Sequence, residues 1–149
     1  VVLAACGDPD VAEDAADEAF ARALLHKNVQ AMASPEAWVC QVAINVMRRR
    51  LRRRAVEARL LGRQWRPIDA EPRIPYPEVW ASVRDLPERQ RLAIVLRYVG
   101  DLPEGDIASI MGVTRGSVAA SLAAARERLA VSLKGFAVDT GLNQECPNG

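Results

Sequence analysis

At 149 residues, half of them hydrophobic, the chain holds enough apolar material for a core and is not disordered throughout. It is long enough for one domain or two small ones. Aromatics make up only 5% while alanine, leucine and arginine abound, which favours an all-α fold. No apolar run approaches the roughly 20 residues of a membrane span. The opening VVLAAC, without basic residues before it, makes a poor signal peptide. Cys6, Cys40 and Cys146 are odd in number and far apart, and His26 is the only histidine, so neither a disulfide framework nor a zinc site is expected. A cytoplasmic protein without metal or cofactor fits.

The net charge of +1 conceals strong segregation. Residues 1–35 carry six acids (Asp8, Asp10, Glu13, Asp14, Asp17, Glu18) against Arg22 and Lys27. Residues 36–66 carry nine arginines against Glu36 and Glu57. A helix is predicted from Asp8 to Leu25, with Asp8 as cap, Pro9 in the first turn and clustered acids complementing the dipole. Its small-residue face is Ala12, Ala16, Ala19, Phe20 and Ala23. Residues 26–33 are polar and irregular. Ser34-Pro35-Glu36 then opens a second helix, Ser34 as N-cap.

In that helix Trp38, Val39, Val42, Ala43, Val46 and Met47 form an apolar stripe, while Asn45, Arg48, Arg49, Arg52 and Arg53 lie largely off it. Residues 48–54 read RRRLRRR, six arginines in seven positions. Like charges so packed repel one another, so something anionic is expected to offset them. The four prolines of residues 62–77 mark a linker, dividing the chain into units 1–61 and 78–134. In the second unit Leu86-Pro87-Glu88 starts a helix with Leu92, Val95, Leu96 and Val99 inward, stopped at Gly100. Pro103-Glu104 starts a short helix with Ile107, Ile110 and Met111 inward. Gly112 ends it, and Thr114 caps a long helix with Val118, Leu122, Ala125, Leu129 and Leu133 on one face. Two helices across a short glycine-containing turn predict a helix-turn-helix. Residues 135–149 are expected to form a mostly flexible tail.

Taken in order, DPDVAEDAADEAFARAL and PEAWVCQVAINVMRRRLRR resemble the acidic helix and the W-L-x-x-[IV]-A-x-N-x-x-x-x-x-x-R-R helix of sigma factors of the extracytoplasmic-function group, particularly GC-rich actinobacterial members. LPERQRLAIVLRYVGDLPEGDIASIMGVTRGSVAASLAAARERL resembles the L-P-x-x-x-R and E-I-A-x-x-[LM]-G-[IV]-x-x-G-[ST]-V pattern of that group's upstream-element domain. The likeness spans roughly residues 3–134.

The resemblance implies a non-enzymatic initiation factor whose partners are core RNA polymerase, promoter DNA and an anti-sigma factor. Asp14, Asp17, Glu18 and Phe20 would dock on polymerase, and the loop from about Lys27 to Ser34 would capture an unstacked minus-10 base. Trp38, Asn45, Arg48, Arg49, Arg52 and Arg53 would line the melted strand, the arginines as phosphate contacts. Trp38, lying on the apolar stripe, reads rather as a core residue with one exposed edge. On the minus-35 side the resemblance points to Thr114, Arg115, Ser117, Ala120 and Ser121, with Arg126 and Arg128 on the backbone. Alanines at 119 and 124, and Ser121 itself, stand where the group often has Lys or Arg, so base reading there is expected to be weak. Asp69 and Glu71 would thread near the RNA path, or simply be solvated.

The group also begins with a further helix, so this chain is expected to enter at that helix's end. Two alternatives stay open: a degenerate sigma-like protein acting through anti-sigma or polymerase contacts, and a stand-alone helix-turn-helix regulator.

Overall fold

The computed structural model describes residues 1–62 and 76–139. Among them are seven α-helices, one 3-10 turn and no strand: α1 (Val2–Cys6), α2 (Pro9–Leu25), α3 (Pro35–Leu60), α4 (Pro77–Arg84), α5 (Glu88–Tyr98), α6 (Glu104–Met111) and α7 (Arg115–Asp139), the turn being Val29–Ala31. No single helix among the described residues is long and apolar enough to cross a membrane.

α2 starts as its sequence predicts, Asp8 Oδ1 accepting the Val11 N–H at 3.1 Å with Pro9 in the first turn. Its buried face is Val11, Ala12, Ala15 and Ala19, rotated from the predicted one. Phe20 is 61% exposed. Small side chains at these positions bring α3 alongside, and the rotation is fixed by Val11 and by ion pairs to α3. Ser34 occupies the N-cap of α3, but its hydroxyl makes no capping bond.

α3 is the spine of the molecule, buried along two faces rather than the single predicted stripe. Val39, Ala43, Val46, Arg50 and Arg54, at helical spacing, turn toward α2, where Arg50 meets Asp14 and Arg54 meets Asp8. Ala37, Gln41, Ile44, Arg48 and Leu51 turn toward the second half. There Gln41 Nε2 donates to the Ser109 carbonyl at 3.4 Å, and Arg48 Nε lies 3.7 Å from Glu88. Ile44, Val46 and Met47 join Leu92, Val95, Leu96, Ile107, Val118 and Leu122 in one continuous apolar cluster. The two halves of the sequence thus pack on each other through α1 and α3 on one side and α4, α5 and α6 on the other.

Gly100 marks a close approach between them. A Cβ there would lie 2.8 Å from the Leu96 carbonyl oxygen and 3.3 Å from Val1 Cγ2, which explains a glycine at the end of α5. Val99, predicted inward, is 45% exposed at that end.

α6 closes with Gly112 in the left-handed region (φ 67°), its N–H bonded to Ser109 O and that of Val113 to Ala108 O, the pattern that seals a helix end with glycine. Gly112, Val113 and Thr114 then turn the chain so that α6 and α7 meet at 100°. That angle across a three-residue turn is helix-turn-helix geometry. Val118, Leu122 and Ala125 are buried as predicted, and Leu129 and Leu133 half-buried. α7 continues through Asp139, so the first residues of the predicted tail are helical. The rest of that tail (140–149) and nearly all of the linker (63–75), with Asp69 and Glu71, lie outside the described residues.

Candidate nucleic-acid interface

The third face of α3 is open. Trp38, Asn45, Arg49, Arg52 and Val56 recur at steps of seven, four, three and four, which puts them on one stripe of a 3.6-residue helix. Trp38 is half-buried and the other four are exposed. Arg53 borders the stripe, and Arg48 leaves it to face Glu88. At the upper end the stripe meets the loop after α2. The His26 ring packs against Trp38 with centroids 5.1 Å apart and planes at 54°, while the Asn28 N–H donates to His26 Nδ1 at 3.3 Å. Trp38 is therefore neither a core residue nor a bare platform: it ties this loop to the helix.

The anion expected to offset the arginine block is the protein's own α2. Arg54 pairs with the fully buried Asp8, and Arg50 Nη1 lies 2.6 Å from Asp14. Arg49 Nη2 donates to both Glu18 oxygens at 3.0 and 3.3 Å. Arg53 pairs with Glu57 one turn on. Among the described residues Arg52 has no ion-pair partner. Arg49, Arg50, Arg53, Arg54 and Glu57 surround an open cavity of ≈ 420 Å³ in which four guanidinium groups meet their own carboxylates, and Arg50 Nε is buried there without an acceptor. Sequence reasoning missed Arg50 and Arg54. The signal was present: they continue the spacing of Ala43 and Val46.

The proposed polymerase-facing residues also divide. Asp14 and Glu18 are engaged by arginines, whereas Asp17 and Phe20 are exposed on the outer side of α2, Phe20 followed one turn on by Leu24 at 89% exposure.

At the other end of the molecule, Thr114 Oγ1 accepts the Ser117 N–H at 3.2 Å and caps α7. Arg115, Ser117, Ala119 and Ala120 are exposed around the first turns. The Ser121 hydroxyl donates to the Ser117 carbonyl at 2.8 Å, so it is left as an acceptor only. Arg126 Nε donates to the Tyr98 hydroxyl at 2.9 Å, with its guanidinium carbon 5.9 Å from that ring. The exposed early turns of α7 thus carry one guanidinium, Arg115, amid alanines and serines.

Burial pushes the Cys6 and Cys40 thiols above their ordinary value. Among the described residues no group of three or more His, Cys, Asp or Glu is placed to hold a metal ion.

Residues 1–56 match the family model of Sigma-70 region 2, and residues 78–129 match that of Sigma-70, region 4. Among solved structures the chain is similar to the sigma factor RpoE in complex with the anti-sigma factor NepR from Bartonella quintana. The likeness has a TM-score of 0.76 at 20% identity, covering 89% of this chain and 87% of that one. No curated protein matches the sequence. With a region 2 that carries the acidic α2 and arginine-rich α3, and a region 4 built as a helix-turn-helix, the chain belongs to the sigma-70 family of RNA polymerase sigma factors.

Proposed function

We propose that the open stripe of α3 and the first turns of α7 are the two DNA-contacting surfaces of a promoter-recognition factor. The observation that carries this reading is the stripe itself: an aromatic, an amide and two guanidinium groups aligned on one exposed helix face, beside a loop held by Trp38 and His26. Asn45 and Trp38 would meet an unstacked base or its sugar. Arg49, Arg52 and Arg53 would meet phosphates, contacts that confer affinity and salt dependence rather than sequence choice. Arg48 contributes less, being turned toward Glu88.

On the minus-35 side the N–H groups of the first turn of α7 and Arg115 take the phosphate and base edge, with Thr114, Ser117 and Ala120 alongside. Ser121 accepts but does not donate. With so few polar readers, α7 binds its element weakly and relies on shape. Asp17 and Phe20, with Leu24, form the outward face of α2 for core polymerase; Asp14 and Glu18 reach it only when released from their arginines. The factor catalyses nothing itself, and it works in the cytoplasm, where polymerase and promoter DNA are. The similar RpoE was solved with an anti-sigma factor, and a protein partner of that kind is proposed here too.

The second reading, a degenerate sigma-like protein working through protein contacts alone, is favoured by the alanine-rich α7 and the internally paired arginines. One experiment separates the two: capture of core polymerase by this chain, followed by run-off transcription from candidate promoters. Capture with promoter-dependent transcripts is the expected result. Capture without transcripts from any promoter supports the second reading, and absence of capture sinks the first and leaves the second only its anti-sigma contacts.

A further inference from the structure

Glu18 is the most heavily used side chain on the α2–α3 face. It is reached by Arg49 at 3.0 Å, by Arg50 at 3.8 Å and by Arg22 of its own helix. Asp14 holds the other arm of Arg50 at 2.6 Å. These pairs differ in kind from Asp8–Arg54. Asp8 is fully buried and caps α2, so that pair belongs to the fold. Glu18 and Asp14 remain open to solvent, with 26% and 50% of their side chains exposed, as do Arg49 and Arg50 with 63% and 39%. A phosphate reaching Arg49 takes the same N–H groups that Glu18 now accepts. A basic protein surface reaching Glu18 takes the same oxygens that Arg49 now uses.

We propose that Asp14 and Glu18 are restraining residues for Arg49 and Arg50, so that anion binding on α3 and basic-partner binding on α2 draw on the same ion pairs and promote each other. Whichever ligand arrives first opens the pair, and the second meets groups already free. Such linkage is reciprocal: each ligand raises the affinity of the other by the same factor. The restraint itself stands on the geometry alone; naming core polymerase as the basic partner rests on the function proposed above.

The test measures binding of a fluorescein-labelled mixed-sequence single strand and duplex to the full chain across a salt series, for wild type, Glu18→Gln, Asp14→Asn and Glu13→Gln. Glu13 is exposed on the same helix, pairs with no base among the described residues, and changes the net charge equally. Exposed pairs of this kind correspond to about a two- to fivefold change in an equilibrium constant. Glu18→Gln should therefore bind DNA about two- to fivefold more tightly than Glu13→Gln. Its slope of log affinity against log salt should be steeper by about 0.9 for the duplex, because the released Arg49 neutralises one further phosphate. Asp14→Asn should follow in the same direction through Arg50, and reports independently if Glu18→Gln folds poorly. A thermal melt of each variant checks folding, and loss of fold alone does not steepen a salt slope.

The reciprocal arm is Arg49→Gln, which should weaken DNA binding while raising affinity for core polymerase. If Glu18→Gln and Asp14→Asn match Glu13→Gln in both affinity and slope, or bind more weakly, the restraint is overturned. If no variant captures polymerase while the DNA differences hold, the restraint stands and the polymerase reading fails.

Discussion

Replacing Asp8 by alanine removes two interactions at once, and the structure allows them to be separated. Asp8 Oδ1 caps α2 through the Val11 N–H, while Oδ2 pairs with Arg54. Loss of an N-cap typically costs about 1 kcal/mol. Breaking a buried ion pair from one side costs about 3–5 kcal/mol when the remaining charge is stranded. Here the remaining charge is Arg54, whose side chain is 32% exposed and can rehydrate, so the lower part of that range, or less, applies. The sum expected for Asp8→Ala is about 2–4 kcal/mol, which in a chain of this length lowers the melting temperature by roughly 5–15 °C. Asparagine caps a helix as well as aspartate, so Asp8→Asn should recover about 1 kcal/mol of that loss. Urea denaturation of Asp8→Ala, Asp8→Asn, Arg54→Gln and the Asp8→Asn/Arg54→Gln pair completes the cycle. If Asp8→Asn is as destabilising as Asp8→Ala, the cap contributes nothing. If the double variant equals the sum of the singles, the ion pair contributes nothing, and α2 is not seated on α3 through it.

Phe20→Ala with Leu24→Ala should change stability by less than about 0.5 kcal/mol, as exposed positions do, yet weaken capture of core polymerase at least tenfold; a stability assay beside the capture assay separates the two. Arg115→Ala should weaken binding to a minus-35 duplex more than to an unrelated duplex, narrowing the preference between them, read by fluorescence anisotropy. Cys6 and Cys40 hold their protons to higher pH in the native chain than their ordinary 9.0, because burial disfavours the thiolate. Their contribution to stability is therefore complete below about pH 9 and is lost as pH rises through the native values. Both should react slowly with a thiol reagent at pH 8 and quickly once the chain is unfolded in urea.

Much of this was legible in the residues. Asp8-Pro9 announces the start of α2. Gly112 followed by Thr114, with isoleucines before and Val118, Leu122 and Ala125 after, announces the helix-turn-helix, because caps and left-handed glycines are local chemistry. The partners of the arginines were not legible. The spacing of Ala43 and Val46 continues to Arg50 and Arg54 and marks their face, but only the placement of α2 brings Asp14 and Asp8 to them, while Arg52 has no ion-pair partner among the described residues. Trp38 is the same case: its periodicity suits a core residue, yet the surface it lies on is one the loop at His26 half-covers. The packing of one half on the other escaped as well. Of the polar side chains that mediate it, Arg48 is expected on DNA and nothing in the pattern marks Gln41, and a helix buried on two sides blurs the single amphipathic period on which such reading depends.

The three faces of α3 imply an unusual pattern of mutational tolerance. A helix lying on the surface of a domain has a back that drifts freely. α3 has none: one face seats α2, one seats the second half, and the third is the proposed DNA stripe. A deep substitution scan scored for folding should find positions 45, 49, 52 and 56 permissive and the other two faces restrictive, with position 38 between them because Trp38 also packs on His26. The same scan scored for transcription should find 38, 45, 49 and 52 restrictive as well. The difference between the two maps, position by position, would draw the outline of the DNA footprint without any complex being solved.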